Sequence, residues 1–163
     1  MQFRLLDTIE AFEKDARLVG SKHVRPEEEY LADHFPEFPV LPGVFMLEAA
    51  TQASAWLLRL SDDFFHSTVT LQEARNVKYA DFVKPGERLR VETQLTKKEE
   101  RLATFKVAGS VEGRTTLTGR LTLERYNLAD TSPHLADVDE RLRVYLRKWR
   151  DEITAELAAP ATA

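Results

Sequence analysis

The chain contains no cysteine among its 163 residues. That absence removes disulfides, thiolate catalysis, cysteine-ligated zinc and iron–sulfur clusters. No window of about 18 uncharged apolar residues occurs, so no segment is expected to span a membrane. The opening residues, 1–18, carry acids early and lack a long apolar stretch, which does not read as a signal peptide. Positive charge is not in excess either. The 23 basic and 27 acidic side chains leave a net charge of −4, against the basic face of a general nucleic-acid binder. The four histidines, His23, His34, His66 and His134, do not have metal-ligand spacing. Neither a glycine-rich phosphate loop nor a serine-nucleophile elbow occurs. What remains is 43% hydrophobic and 31% charged, the balance of a globular domain with a sizeable core. The expectation is one soluble, cytoplasmic domain.

Residues 3–13 and 16–24 read as two short strands around a polar turn at Glu13-Lys14-Asp15. Pro26-Glu27-Glu28-Glu29 reads as the first turn of a short helix, because proline and acids suit that end. Residues 43–60 contain no proline and no interior glycine, and predict a helix about 27 Å long. Apolar residues lie all round it, which predicts burial. Residues 69–79, 88–97, 102–112 and 115–126 alternate as strands, with Val83–Glu87, Glu99–Arg101 and Glu112–Arg114 as connections. A last helix is predicted over about 134–158, capped by Thr131-Ser132-Pro133. Val138, Leu142, Tyr145, Leu146, Trp149, Ile153 and Leu157 form its apolar stripe. That stripe packs on its own domain or binds a partner. The final five residues, APATA, are expected to be disordered. The pattern as a whole predicts an α+β fold, an antiparallel sheet around one buried helix.

The segment 33–43, DHFPEFPVLPG, holds three prolines and a glycine, so no regular element survives there. Phe35, Phe38, Val40 and Leu41 are expected to bury it. A rigid apolar loop of this kind is retained where its shape matters. His34 stands near its start and Glu48 one turn into the helix that follows. Around Glu48 lie Val44, Phe45, Thr51 and Gln52 at helical spacing. Burying an unpaired carboxylate is costly and favours its protonated form. Gln52, four residues on, is placed to orient it. Gly43 opens the helix, where backbone N–H groups are unpaired and a developing oxyanion is stabilised. A base, an acid and an oxyanion donor suggest proton abstraction beside a carbonyl, then loss of a β leaving group.

The run His34-Phe35-Pro36-x-x-Pro39-x-x-Pro42-Gly43-Val44, followed by Leu47-Glu48-Ala49 and Gln52, resembles the FabA/FabZ-type (3R)-hydroxyacyl acyl-carrier-protein dehydratases. The interval of fourteen from His34 to Glu48 matches as well. The resemblance covers about residues 3–125 and takes in Asn76-Val77-Lys78-Tyr79 and Pro85-Gly86-Glu87. It implies a hotdog fold over 1–130, with 131–163 as a helical extension of the same domain. It implies a homodimer, with further assembly left open, in which His34 of one subunit faces Glu48 of the other. The roles it implies are His34 as base, Glu48 as acid, Gly43 as oxyanion donor and Gln52 as orienting group. Phe38, Val40 and Phe45 become candidate tunnel walls, which core packing explains equally well. It implies no metal and no other cofactor. The substrate rides on acyl carrier protein or on coenzyme A. Glutamate at 48 favours a plain dehydratase over a dehydratase–isomerase.

The departures point to a divergent, FabZ-like branch, serving specialised lipid or polyketide-like synthesis. Asp33 precedes His34 where the family more often has glycine, and either tunes the imidazole or faces solvent. Tyr79-Ala80-Asp81-Phe82-Val83 replaces a more basic stretch. Residues 75–114 hold ten basic and six acidic side chains, net +4, and residues 7–37 four basic and nine acidic, net −5. That asymmetry suits an acidic carrier, or reflects ordinary strand faces. The competing functions are a hotdog acyl-thioesterase and a non-catalytic carrier-binding module.

Overall fold

The computed structural model describes residues 3–158, so the expectation for the last five residues lies outside them. One antiparallel sheet of six strands carries the fold, in the order β1-β2-β4-β5-β6-β3. The strands are β1 (Thr8–Glu13), β2 (Arg17–His23), β3 (Thr68–Tyr79), β4 (Arg88–Lys98), β5 (Leu102–Val111) and β6 (Arg114–Tyr126). Two helices precede β3, α1 (Tyr30–Asp33) and α2 (Gly43–Ser61). Two follow β6, α3 (Ala136–Ile153) and α4 (Ala155–Ala158). The sheet wraps around α2, which is the hotdog arrangement.

Alternation decides which face does this. Leu89, Val91 and Thr93 of β4 point inward, as do Ala103, Phe105 and Val107 of β5 and Leu117, Leu121 and Leu123 of β6. Against them lie Ala50, Ala53, Trp56 and Leu57 of α2. The Ser54 hydroxyl donates to the Ala50 carbonyl at 2.9 Å and meets the Thr93 hydroxyl at 2.7 Å, so this polar pair is satisfied inside the core. Glu112 and Gly113 both have positive φ, 48° and 79°. That suits the two-residue turn joining β5 to β6.

Four local expectations are corrected. β1 begins at Thr8, not Phe3, because the Leu5 N–H bonds to the Gln52 side chain instead of a strand. Pro26 and Glu27 form a turn, and α1 starts only at Tyr30. Glu28 is drawn to the buried Lys22, 2.6 Å away. The last helix is broken: a 3-10 turn covers Pro133–Leu135, α3 follows, and Thr154 separates it from α4. Ser132 is the N-cap of that turn but makes no side-chain cap hydrogen bond. Nor is α2 buried all round, since Val44 is 63% exposed and Phe45 and Leu47 are half-buried.

Candidate active site

The loop before α2 is held by backbone bonds rather than by its aromatics. The Leu41 N–H donates to the Val83 carbonyl at 2.8 Å, and the Phe38 N–H to the Phe35 carbonyl at 2.8 Å. Val40 and Leu41 are buried, whereas Phe35 and Phe38 are 59% and 50% exposed. The expectation that all four bury the loop is corrected accordingly. Phe35 adopts a positive φ of 52°, which is uncommon outside glycine and swings the chain outward there.

His34 follows α1, its N–H bonded to the Tyr30 carbonyl at 3.1 Å. Its Nδ1 lies 3.1 Å from the Val40 carbonyl oxygen. A carbonyl only accepts, so Nδ1 carries the proton and Nε2 is left as the basic nitrogen. Asp33 is exposed and makes no hydrogen bond with the ring among the described residues. Val40, not Asp33, sets the tautomer.

His34 opens onto a cleft of about 330 Å³. Val40, Leu41, Gly43, Met46 and the segment Tyr79–Phe82 also line it. Sequence reasoning placed Gly43 and Val40 at the site, and both are here. It missed Leu41 and Met46, although Met46 stands three residues from Gly43 on one helix face. It noted Tyr79 within the resemblance and Tyr79–Phe82 as a departure, without placing them at the site. A Cβ added to Gly43 would lie 3.1 Å from the Tyr79 ring, so this glycine lets the ring sit over the start of α2. Arg114, which the sequence did not flag, fixes the opposite wall. It bonds Asp81 at 2.6 Å, the Phe82 carbonyl at 3.1 Å and Glu87 at 3.2 Å. Its hydrogen bond, then the Phe82 N–H, hold the Asp81 carboxyl below the usual carboxylate range.

The other candidates lie elsewhere. Phe38 stands at the rim, edge-on to Phe82 at 5.7 Å. Phe45 joins a different cluster, edge-on to Phe3 at 4.8 Å and to Tyr30 at 4.9 Å. Glu48 is half-buried, its Oε1 accepting from Gln52 Nε2 at 2.9 Å. Neither Glu48 nor Gln52 lines the cleft. Two residues past Met46 is about 200° around a helix, so Glu48 leaves α2 on roughly the opposite side. Within one chain, His34 and Glu48 therefore serve different faces of α2. No group of three or more His, Asp or Glu among the described residues is placed to hold a metal ion.

A family model described as FabA-like domain matches residues 1–120. The chain belongs to the FabA-like family. A FabZ 3-hydroxyacyl-acyl-carrier-protein dehydratase of Latilactobacillus sakei is 34% identical to this FabA-like chain over 118 residues, covering 72% of it and 84% of the relative. Two solved structures share the fold. The dehydratase heterocomplex ApeI:P of Xenorhabdus doucetiae aligns with a TM-score of 0.66 at 20% identity, over 82% of this chain and 90% of that one. A mutant thioesterase, PA1618 of Pseudomonas aeruginosa, aligns with a TM-score of 0.59 at 19% identity, over 74% and 81%. A dehydratase and a thioesterase on one fold leave the chemistry to be argued from the site.

Proposed function

We propose that this chain dehydrates (3R)-3-hydroxyacyl thioesters to trans-2-enoyl thioesters, as a hydro-lyase of fatty-acid or related lipid or polyketide-like synthesis. The observation that carries it is the tautomer of His34, whose basic Nε2 is left for the cleft that opens at the start of α2. Nε2 removes the α proton. The electron pair moves into the thioester carbonyl, and the oxyanion is met by the Gly43 N–H, which has no acceptor within its helix. The enolate then expels the β-hydroxyl, protonated by Glu48, as water. Gln52 holds Glu48 Oε1 and leaves Oε2 for the leaving group.

The working unit is a homodimer, in which His34 faces the partner subunit's Glu48. Two observations support this. Glu48 leaves α2 on the side away from the cleft that His34 lines, and β3 ends the sheet as a long strand exposed from Leu71 to Asn76. An unpaired edge of that length is a template for a second copy. Residues 1–130 serve as the dehydratase unit, with 131–163 an extension of the same domain. The edge-on contact of Trp149 with Trp56, ring centroids 5.2 Å apart, supports that division.

The acyl chain arrives on an acyl carrier protein, in the cytoplasm. The L. sakei relative is named for such a substrate. Lys78, Lys106 and Arg120 line a groove of about 230 Å³ on the outer sheet face, with no acidic residue among its lining. Lys106 and Arg120 lie directly opposite each other in register. Like charges so placed destabilise a sheet unless an anion meets them, and carrier proteins are acidic.

The test is the intact mass of a carrier protein bearing a (3R)-3-hydroxyacyl chain, before and after incubation with the protein. Loss of one water is the expected result. Release of the free carrier thiol would make the chain a thioesterase. Binding without any mass change, across a range of chain lengths, would make it a carrier-binding module.

A further inference from the structure

Gln52 makes three hydrogen bonds, and they fix which way its amide points. Oε1 accepts from the Leu5 N–H at 2.9 Å. Nε2 donates to the Phe3 carbonyl at 3.0 Å and to Glu48 Oε1 at 2.9 Å. Only the oxygen can accept from a backbone N–H, so the position of Leu5 forces the NH₂ end toward Glu48. The donor on Glu48 therefore depends on where residues 3–5 lie.

Those residues belong to no strand, since β1 begins at Thr8. Phe3 rests edge-on against Phe45 of α2. Leu5 is buried in the core, and Arg4 between them is held by α3. Arg4 Nη1 donates to Glu152 at 2.5 Å and Nη2 to the Tyr145 hydroxyl at 3.3 Å. The guanidinium also lies over the Trp149 ring, 4.7 Å from its centroid. Tyr145, Trp149 and Glu152 are spaced four and three apart, so they share one helix face. All three lie beyond residues 1–120, which the family model matches.

We propose that α3, acting through Arg4, is a positioning element for the site. It holds residues 3–5 against α2, so that Gln52 presents its amide to Glu48. The proposal rests on the dehydratase function above, with Glu48 as the acid. The size of the terms says where the effect belongs. Glu152 is 51% exposed, and an ion pair of that kind contributes little to stability. An acid displaced by a fraction of an ångström loses rate far out of proportion to that. Arg4 should therefore act on turnover more than on folding.

The experiment uses R4Q, R4K and E152Q in the full chain, each alone and combined with Q52A, under steady-state dehydration of a carrier-bound 3-hydroxyacyl chain. R4Q is expected to lower kcat about tenfold and leave KM within about twofold. R4K should recover most of the loss, because a lysine keeps a cation for Glu152 and the Trp149 face. In the Q52A background R4Q should have no further effect, since both changes remove one interaction. Losses that multiply, an unchanged kcat, or a change confined to KM would overturn the proposal. E152Q, at a half-exposed position, applies the same criteria if R4Q folds poorly. The Gln52 side-chain amide resonances give a reading independent of activity. They should move in R4Q, and resonances that stay in place would overturn the proposal. Moved resonances in a protein that removes no water would support the positioning contact and overturn the dehydratase function instead.

Discussion

Along α2, the turns from Gly43 to Gln52 and the turns from Ala53 to Ser61 bury different things. In the first stretch Val44 is exposed and Phe45, Leu47, Glu48 and Gln52 are half-buried. Its polar groups bond to the chain's first residues or to one another. In the second, every residue from Ala53 to Leu58 is buried. Trp56 meets Phe64 and Trp149 there, with ring centroids 6.2 and 5.2 Å apart. Close packing in the second stretch supplies stability. The first is anchored by it and so can keep a carboxylate, an orphan N–H and an open face, none of which a close-packed core tolerates well. One helix thus separates chemistry from support along its length.

The sharpest way to break this comparison is at His34 and Glu48. H34A and E48Q should each lower turnover at least about 100-fold, the usual worth of a general base or acid. H34A should cost no more than about 1 kcal/mol of stability, the value of the one hydrogen bond to Val40. Carrier mass and a chemical melt measure the two. A large loss of stability in H34A would mean that the first stretch is also structural. The converse test is W56A, which should destabilise by about 3–5 kcal/mol in urea, as expected for a fully buried tryptophan. A stable W56A would leave the second stretch without its assigned role.

Smaller effects sharpen the picture. Asp139 is buried, and burial pushes its carboxyl up. The Ser67 hydroxyl, the Ala129 and Leu128 N–H groups and Arg143 outweigh that and hold it below the usual carboxylate range. A depressed carboxylate stabilises the fold above its unfolded pKa of about 3.9, and that contribution is lost as pH falls through the lower folded value. Melting temperature followed below about pH 4 should therefore fall less steeply in D139N than in the natural protein. The difference should vanish if the extension is held by Trp149 alone. The smallest expected change is G43A. Its methyl would meet the Tyr79 ring at 3.1 Å, so the ring must shift by a few tenths of an ångström. KM should rise by about threefold to tenfold, with stability within about 1 kcal/mol. An unchanged KM would remove Tyr79 from the substrate's path.

Much of this was legible in the residues, for physical reasons. Prolines at 36, 39 and 42 exclude regular structure, and the proline-free run after Gly43 predicts a helix that ends within one residue of the observed Ser61. The alternation of residues 89–95 and 117–123 shows which side of β4 and β6 is inward. Spacing also put Gln52 beside Glu48. What stayed hidden was decided by contacts distant in sequence. Phe38 and Phe45 share the chemistry of core residues, and periodicity could not send one to the rim and the other to the Phe3–Tyr30 cluster. Arg114 looked like a hairpin residue, and only the fold brings it to Asp81 and Phe82.

The amino-acid sequence by itself determined α2 and the strands β2 to β6, the inward faces and the loop–helix unit that holds His34, Gly43 and Glu48 at fixed intervals. Each follows from local sterics, from 3.6- and 2-residue periods, or from a motif carried by a single segment. The tertiary structure alone decided that Val40 selects the tautomer of His34, that Glu48 turns away from the cleft of its own chain, and that Arg4 ties the first residues to α3. Those outcomes depend on which side chains meet across the sheet and helices, and hydrogen-bond direction and packing settle that only once the chain has closed.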